Sequence, residues 1–190
     1  MKIFLQSLIP ALWIAWLAYW VYSAIGAKRV ERREGLASRL GHQLPMTAGG
    51  ILLGVRHIAG PALEQQFHSH TFGWYLVGLV AVAAGLAFSV AARHWLGGNW
   101  SSDVTLKRDH ELVRGGPYAW VRHPIYTGML LALLGTAIAI GRWRALIGFV
   151  LLAAGLIYKI GVEEKFMRQQ FGEAYARYRA EVPALIPFVV

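Results

Sequence analysis

The chain alternates long apolar runs with short charged connections, and the lengths of the runs set the first expectation. Ile3 to Ile25 carries no charge over 23 residues, enough helix at about 1.5 Å per residue to cross about 30 Å of hydrocarbon. A secretory signal has a shorter apolar stretch of roughly 7–15 residues behind a basic start, so this run reads as a span. Leu44 to Leu63 is apolar apart from Arg56 and His57, and is predicted to span with that pair facing protein, water or headgroups. Phe72 to Ala92 is uncharged and carries Ala81, Gly85 and Ser89 as a small-residue stripe, which lets helices approach closely in lipid. Ile125 to Gly141 and Ala145 to Val162 are separated only by Arg142, Trp143 and Arg144. So short a link predicts an antiparallel helical hairpin with those three residues at the interface.

Beyond the hairpin, Met167, Phe171, Tyr175 and Tyr178 fall at helical spacing. They predict an amphipathic tail helix over Glu163 to Arg179, lying on the membrane surface or covering the bundle. Pro183 and Pro187 end it. The expected fold is all-α: a polytopic membrane helix bundle of about five transmembrane helices, closed by the hairpin and the tail helix.

Composition agrees with this pattern. The chain is 56% hydrophobic and 15% charged, with a mean hydropathy of +0.43, whereas soluble domains average about 25% charged. Its 190 residues suit one domain, 1–190, and leave little room for a second. The net charge of +9 changes the picture only once it is mapped: fourteen of the nineteen Lys and Arg lie in residues 26–43, 93–124 and the tail. Basic loops stay on the cytoplasmic side. The loops 26–43 and 93–124 and the C-terminus are therefore expected in the cytoplasm, and a bacterial inner membrane is the expected residence. Loop charge accounts for the basicity without nucleic acid, since no basic stripe with interleaved aromatics stands apart from the spans. The chain has no cysteine, which excludes disulfides, thiolate catalysis and cysteine-ligated metal. His57, His68 and His70 lack convincing ligand spacing, so no metal is expected.

The hairpin has a chemical consequence. Antiparallel neighbours bring residues 122–126 beside residues 159–164. Pro124 suits the first position of a helix, which puts His123 at the cap and Tyr126 one turn along. Free amides at such a start attract carboxylate or phosphate. Facing it are Lys159, Glu163 and Glu164. Lys159 and Glu163 share a helix face in the less favourable order for an ion pair, which tilts toward ligand contacts. The plainer alternatives are basic anchors for Arg122 and Lys159, solvated charges for Glu163 and Glu164, and an aromatic belt for Tyr118, Trp120 and Tyr126.

The run His110-Glu-Leu-Val-Arg-Gly-Gly-Pro-Tyr118-Ala-Trp-Val-Arg122-His123-Pro124-Ile-Tyr126-Thr-Gly128 resembles the cofactor segment of the isoprenylcysteine carboxyl methyltransferase family. Glu163-Glu164, Phe171-Gly172, Tyr175, Tyr178 and Pro183 to Pro187 resemble its closing motif. Residues 110–188 carry the likeness; the first three spans match only in character. The resemblance implies a methyltransferase using S-adenosyl-L-methionine, with 110–188 as the cofactor-binding catalytic portion. By similarity His110, Glu111, Leu112, Val113, Tyr118, His123, Pro124, Ile125, Tyr126 and Glu163 contact the cofactor. In the eukaryotic enzymes an arginine at the position of Lys159 is held to contact the acceptor. Lysine keeps the charge but lacks the planar fork that grips a carboxylate at two points.

Methyl transfer from a sulfonium is an in-line displacement, so positioning and water exclusion dominate. The expected roles are His123 and the helix start on the cofactor's carboxylate end, Tyr118 or Tyr126 against adenine or sulfonium, and Glu163 on its polar groups. Lys159 orients the acceptor. That acceptor is a lipophilic small molecule or prenylated substrate entering from the bilayer, among membrane lipid; no protein partner is inferred. The competing expectations are phospholipid N-methylation, an NADPH-dependent sterol-reductase-like enzyme that shares R-H-P-x-Y-x-G, and a non-enzymatic membrane scaffold.

Overall fold

A computed structural model describes residues 2–24, 30–69, 71–97, 105–107 and 112–187. Helix α1 covers Lys2–Ala24, α2 Leu36–Gly54, α4 Phe72–Leu96, α5 Pro124–Ile140, α6 Trp143–Phe171 and α7 Glu173–Glu181, with a single turn α3 at Gly60–Leu63. Strands β1 (Val30–Arg33) and β2 (Thr105–Lys107) pair antiparallel, so one short ribbon joins an otherwise helical bundle. By length and composition α1, α4 and α6 are apolar enough to cross a membrane, and α5 is a shorter apolar helix of 17 residues.

Glycine sets how the helices meet. A Cβ on Gly85 would lie 2.4 Å from the Gly128 carbonyl oxygen and 2.7 Å from the Ala132 nitrogen, and one on Gly78 would lie 2.5 Å from the Gly135 oxygen. The stripe expected on α4 therefore packs backbone to backbone on α5. The second close pair is α2 with α6, where a Gly49 Cβ would meet the Gly148 oxygen at 2.6 Å. Helix α1 leans on α4 and α5 through its indoles: Trp16 Nε1 donates to Ser89 Oγ at 2.7 Å and Trp13 Nε1 to Thr136 Oγ1 at 3.0 Å.

Three boundaries differ from the sequence expectation. The second apolar segment runs Leu36–Gly54 rather than Leu44–Leu63, and Arg56 and His57 lie in the turn after it. Helix α2 absorbs Pro45 in its interior, and Arg56 and His57 do not sit in it. The tail helix is not separate: α6 continues through Glu163 and Glu164 to Phe171, because the intervening Glu, Lys, Met, Arg and Gln are good helix formers. The break comes at Gly172, whose φ of +49° favours a residue without Cβ. Tyr175 and Tyr178 of the expected apolar face are buried on α7, while Met167 and Phe171 are half-buried on α6.

The hairpin turn is the third. Arg144 is 3% exposed rather than interfacial. It donates to the carbonyls of Leu52 and Leu53 at 2.7 and 3.0 Å and pairs with Glu64 at 2.9 Å. Its guanidinium thus satisfies the open carbonyls at the end of α2. His68 Nε2 lies 2.8 Å from the Ile138 oxygen, with its ring stacked on Trp74.

Candidate functional site

The other end of the hairpin holds the predicted constellation. Pro124 opens α5 with His123 at its cap, and no side chain caps the helix start. Instead the chain's last segment straps it: the amides of Arg122 and His123 donate to the carbonyls of Pro183 and Ala184 at 2.8 and 3.0 Å, and Thr127 Oγ1 donates to Leu185 O at 2.7 Å. This uses the closing prolines as the far wall, a contact for which the sequence carries no spacing signal.

Across the seam, Tyr126 on α5 donates its hydroxyl hydrogen to Glu163 Oε1 on α6. His123 Nδ1 lies 3.6 Å from Glu163 Oε2, its Nε2 lies 3.5 Å from Glu164 Oε1, and its ring stacks on Tyr126 with centroids 5.9 Å apart. Lys159 Nζ sits 5.6 Å from the centroid of the Tyr126 ring, a cation–π contact. Four of the predicted residues, His123, Tyr126, Lys159 and Glu163, therefore converge. Glu163 is 21% exposed at its side chain, whereas Glu164 is 8% exposed. The two adjacent glutamates consequently differ in what they can meet.

Glu164 is no solvated charge, and Arg122 no simple interface anchor. Arg122 grips Glu164 Oε1 through Nε at 3.0 Å and Nη2 at 2.6 Å, and also donates to the Val182 carbonyl. Arg179 Nε approaches Glu164 Oε2 at 3.4 Å. One buried carboxylate thereby ties the start of α5, the foot of α6 and α7 together. The 42-residue separation of Arg122 and Glu164 mirrors the hairpin register, which is the signal that could have paired them.

Other predicted contacts have more structural settings. Pro124 and Ile125 are buried, and Val113 packs with Ala92, Tyr118 and Ile125 in a small cluster. Leu112 is half-buried. Tyr118 is 7% exposed, and its carbonyl accepts from the Tyr178 hydroxyl at 2.6 Å. Burial, then the neighbouring Tyr178 and Glu163, push the Tyr118 phenol up; burial pushes Tyr178 up to about 12 against the pull of Arg122 and Arg114. Both stay neutral at physiological pH. His110 and Glu111 lie outside the described residues. A cleft of about 570 Å³ opens between α7 and the strap, lined by Arg122, Arg179 and residues 183–186, without Tyr126 or Glu163.

The family model described as phospholipid methyltransferase matches residues 74–174. The protein-S-isoprenylcysteine O-methyltransferase of Schizosaccharomyces pombe is 34% identical over 120 residues, covering 62% of this chain and 46% of that protein. Protein-S-isoprenylcysteine O-methyltransferase B of Arabidopsis thaliana is 30% identical over 132 residues, covering 68% and 64%. The chain thus spans less than two thirds of the length of these relatives. The solved structure of a eukaryotic intramembrane Ras methyltransferase, an isoprenylcysteine carboxyl methyltransferase, superposes with a TM-score of 0.57 at 25% identity, covering 82% of this chain and 55% of that one.

Proposed function

We propose, because the chain belongs to the phospholipid methyltransferase family and is similar to isoprenylcysteine methyltransferases over more than half of its length, that it is an integral membrane enzyme transferring methyl from S-adenosyl-L-methionine to the carboxylate of an isoprenylcysteine-like amphiphile. The observation that carries the reading is the Tyr126–Glu163 bond across the α5–α6 seam, with His123 and Lys159 against it.

The residues suit the donor. Glu163 is a partly exposed carboxylate held by one phenol, with acceptor capacity left for an ammonium or ribose hydroxyl. His123 Nε2 faces the buried Glu164 carboxylate at 3.5 Å, which holds the ring in place with Nδ1 toward Glu163, the side on which a donor would sit. The amides of Ile125 and Tyr126, in the first turn of α5, suit a carboxylate. S-adenosyl-L-methionine, when bound, supplies the electrophilic methyl on a sulfonium. The chain's own part is to hold the donor between Glu163, His123 and Tyr126, to set the acceptor's carboxylate by the Lys159 charge, and to keep water out. Loop charge favours a cytoplasmic position for this end, so that the donor arrives from water and the acceptor from lipid.

The test is methyl transfer by the purified protein in lipid, using labelled donor and a farnesylated cysteine analogue. The reading expects base-labile label, a methyl ester. Base-stable label in phosphatidylethanolamine with no ester would replace it by amine methylation, the chemistry suggested by the family model's description.

A further inference from the structure

Glu34 and His42 form a second buried polar pair, which the transfer as proposed leaves without a role. Glu34 Oε1 lies 2.8 Å from His42 Nε2, and the two side chains are 5% and 6% exposed. Ser38 Oγ donates to Glu34 Oε2 at 2.9 Å. Burying a carboxylate and an imidazole costs desolvation that apolar residues of the same volume avoid, so packing α2 on α6 does not by itself account for them.

Their place is set by the α2–α6 crossing. Helix α2 runs antiparallel to α6, with Gly49 against Gly148 and Leu152, the His42 carbonyl and Met46 against Gly155, and Gly41 against Tyr158. The His42 and Tyr158 rings are 6.5 Å apart. Lys159 lies one turn beyond Gly155 on the same face of α6, and Tyr126 shares an apolar cluster with Met46. Helix α2 therefore brings a carboxylate–imidazole pair alongside the foot of α6, which carries Tyr158, Lys159 and Glu163 and faces His123 and Tyr126 on α5.

An imidazole that gives its Nε2 hydrogen to a carboxylate keeps a lone pair on Nδ1 for receiving a proton. Withdrawing an acceptor's carboxyl from water into the bundle disfavours its charged form, and a carboxylic acid is a poor nucleophile until it loses its proton. We infer that His42 is the proton acceptor of the reaction, a catalytic residue, and that Glu34 is the positioning residue that fixes its ring. The inference rests on the proposed methyl transfer. The acceptor's O–H bond breaks and its proton bonds to His42 Nδ1. The freed oxygen takes the methyl carbon as the carbon–sulfur bond breaks, leaving ester, thioether and an imidazolium neutralised by Glu34, which then releases its proton to water.

The experiment measures kcat against pH for the full chain in lipid, as wild type, His42→Gln and Glu34→Gln, beside calorimetric binding of S-adenosylhomocysteine. Wild-type kcat should rise with pH along an imidazole limb. His42→Gln should remove that limb and lower kcat by about 10²-fold or more, with S-adenosylhomocysteine affinity unchanged. Glu34→Gln should keep the limb, move it to lower pH and lower kcat less; it decides the matter alone where His42→Gln does not fold. Wild-type pH profiles and kcat in both variants would overturn the inference, as would loss of S-adenosylhomocysteine binding in step with kcat, which would make the pair structural. A wild type that binds no S-adenosylhomocysteine and makes no ester overturns the proposed function itself, a separate and distinguishable failure.

Discussion

The Tyr126 hydroxyl on α5 donates to the Glu163 carboxylate on α6, thirty-seven residues further along the chain, and this bond spans the seam where the proposed site lies. Tyr126→Phe keeps the ring under Lys159 and removes only that bond. A hydrogen bond to a charged group is worth about 1.5–3 kcal/mol, so Tyr126→Phe should lower folding stability by about that amount and, by releasing Glu163 from its fixed orientation, weaken S-adenosylhomocysteine binding as well. Calorimetry and thermal unfolding in detergent read the two effects separately.

Glu164 should behave in the opposite way. Its carboxylate is the partner of the buried Arg122 guanidinium, and removing one member of such a pair leaves the other's charge uncompensated. Glu164→Ala should destabilise the folded protein by about 3–5 kcal/mol, measured by denaturant unfolding, whereas Glu163→Gln should change ligand binding with little loss of stability.

The glycine contacts make a packing prediction. Gly85→Ala puts a methyl group against two backbone atoms of α5 and should cost at least about 1–3 kcal/mol, the range for overpacking, since backbone cannot rotate away. Gly50→Ala, with open space around it in α2, should be neutral or stabilising by about 0.5–1 kcal/mol. Paired unfolding curves check both.

Acid should loosen the opposite end of the bundle first. Desolvation raises the Glu64 carboxyl, but the His57 amide and the Arg144 and Arg142 guanidinium groups outweigh it and hold the group below its ordinary value of 4.5. A carboxylate with a depressed folded value stabilises fully above its unfolded value, and that contribution disappears as pH falls through the folded one. Stability should therefore be flat with respect to this group above pH 4.5 and decline below it, and Glu64→Gln should be less stable above that pH and lose less on acidification. Denaturant midpoints at a series of pH values measure it.

Much of the site could be read from linear order. The short Arg142–Arg144 link fixes an antiparallel hairpin, and that alone sets His123 and Tyr126 opposite Lys159 and Glu163. Pro124 marks the helix start because proline's missing donor costs nothing there. What stayed hidden depends on distant chain segments. Nothing local pairs Val30–Arg33 with Thr105–Lys107, or straps Pro183 and Ala184 over the amides of Arg122 and His123. The limits of α2 were misplaced because apolar residues such as Ile58 and Ala59 continue past Gly54, although the helix stops there and Arg144 receives its end carbonyls. The continuity of α6 was legible in retrospect, since Gly172 is the first residue after Glu163 suited to a left-handed backbone.

The account stands most directly on one titration: S-adenosylhomocysteine into the folded wild-type protein in detergent, repeated with Glu163→Ala and His123→Ala. It predicts saturable binding to the wild type that both variants weaken severely without unfolding. Undiminished binding in both variants, or none in a wild type shown to be folded, would contradict it.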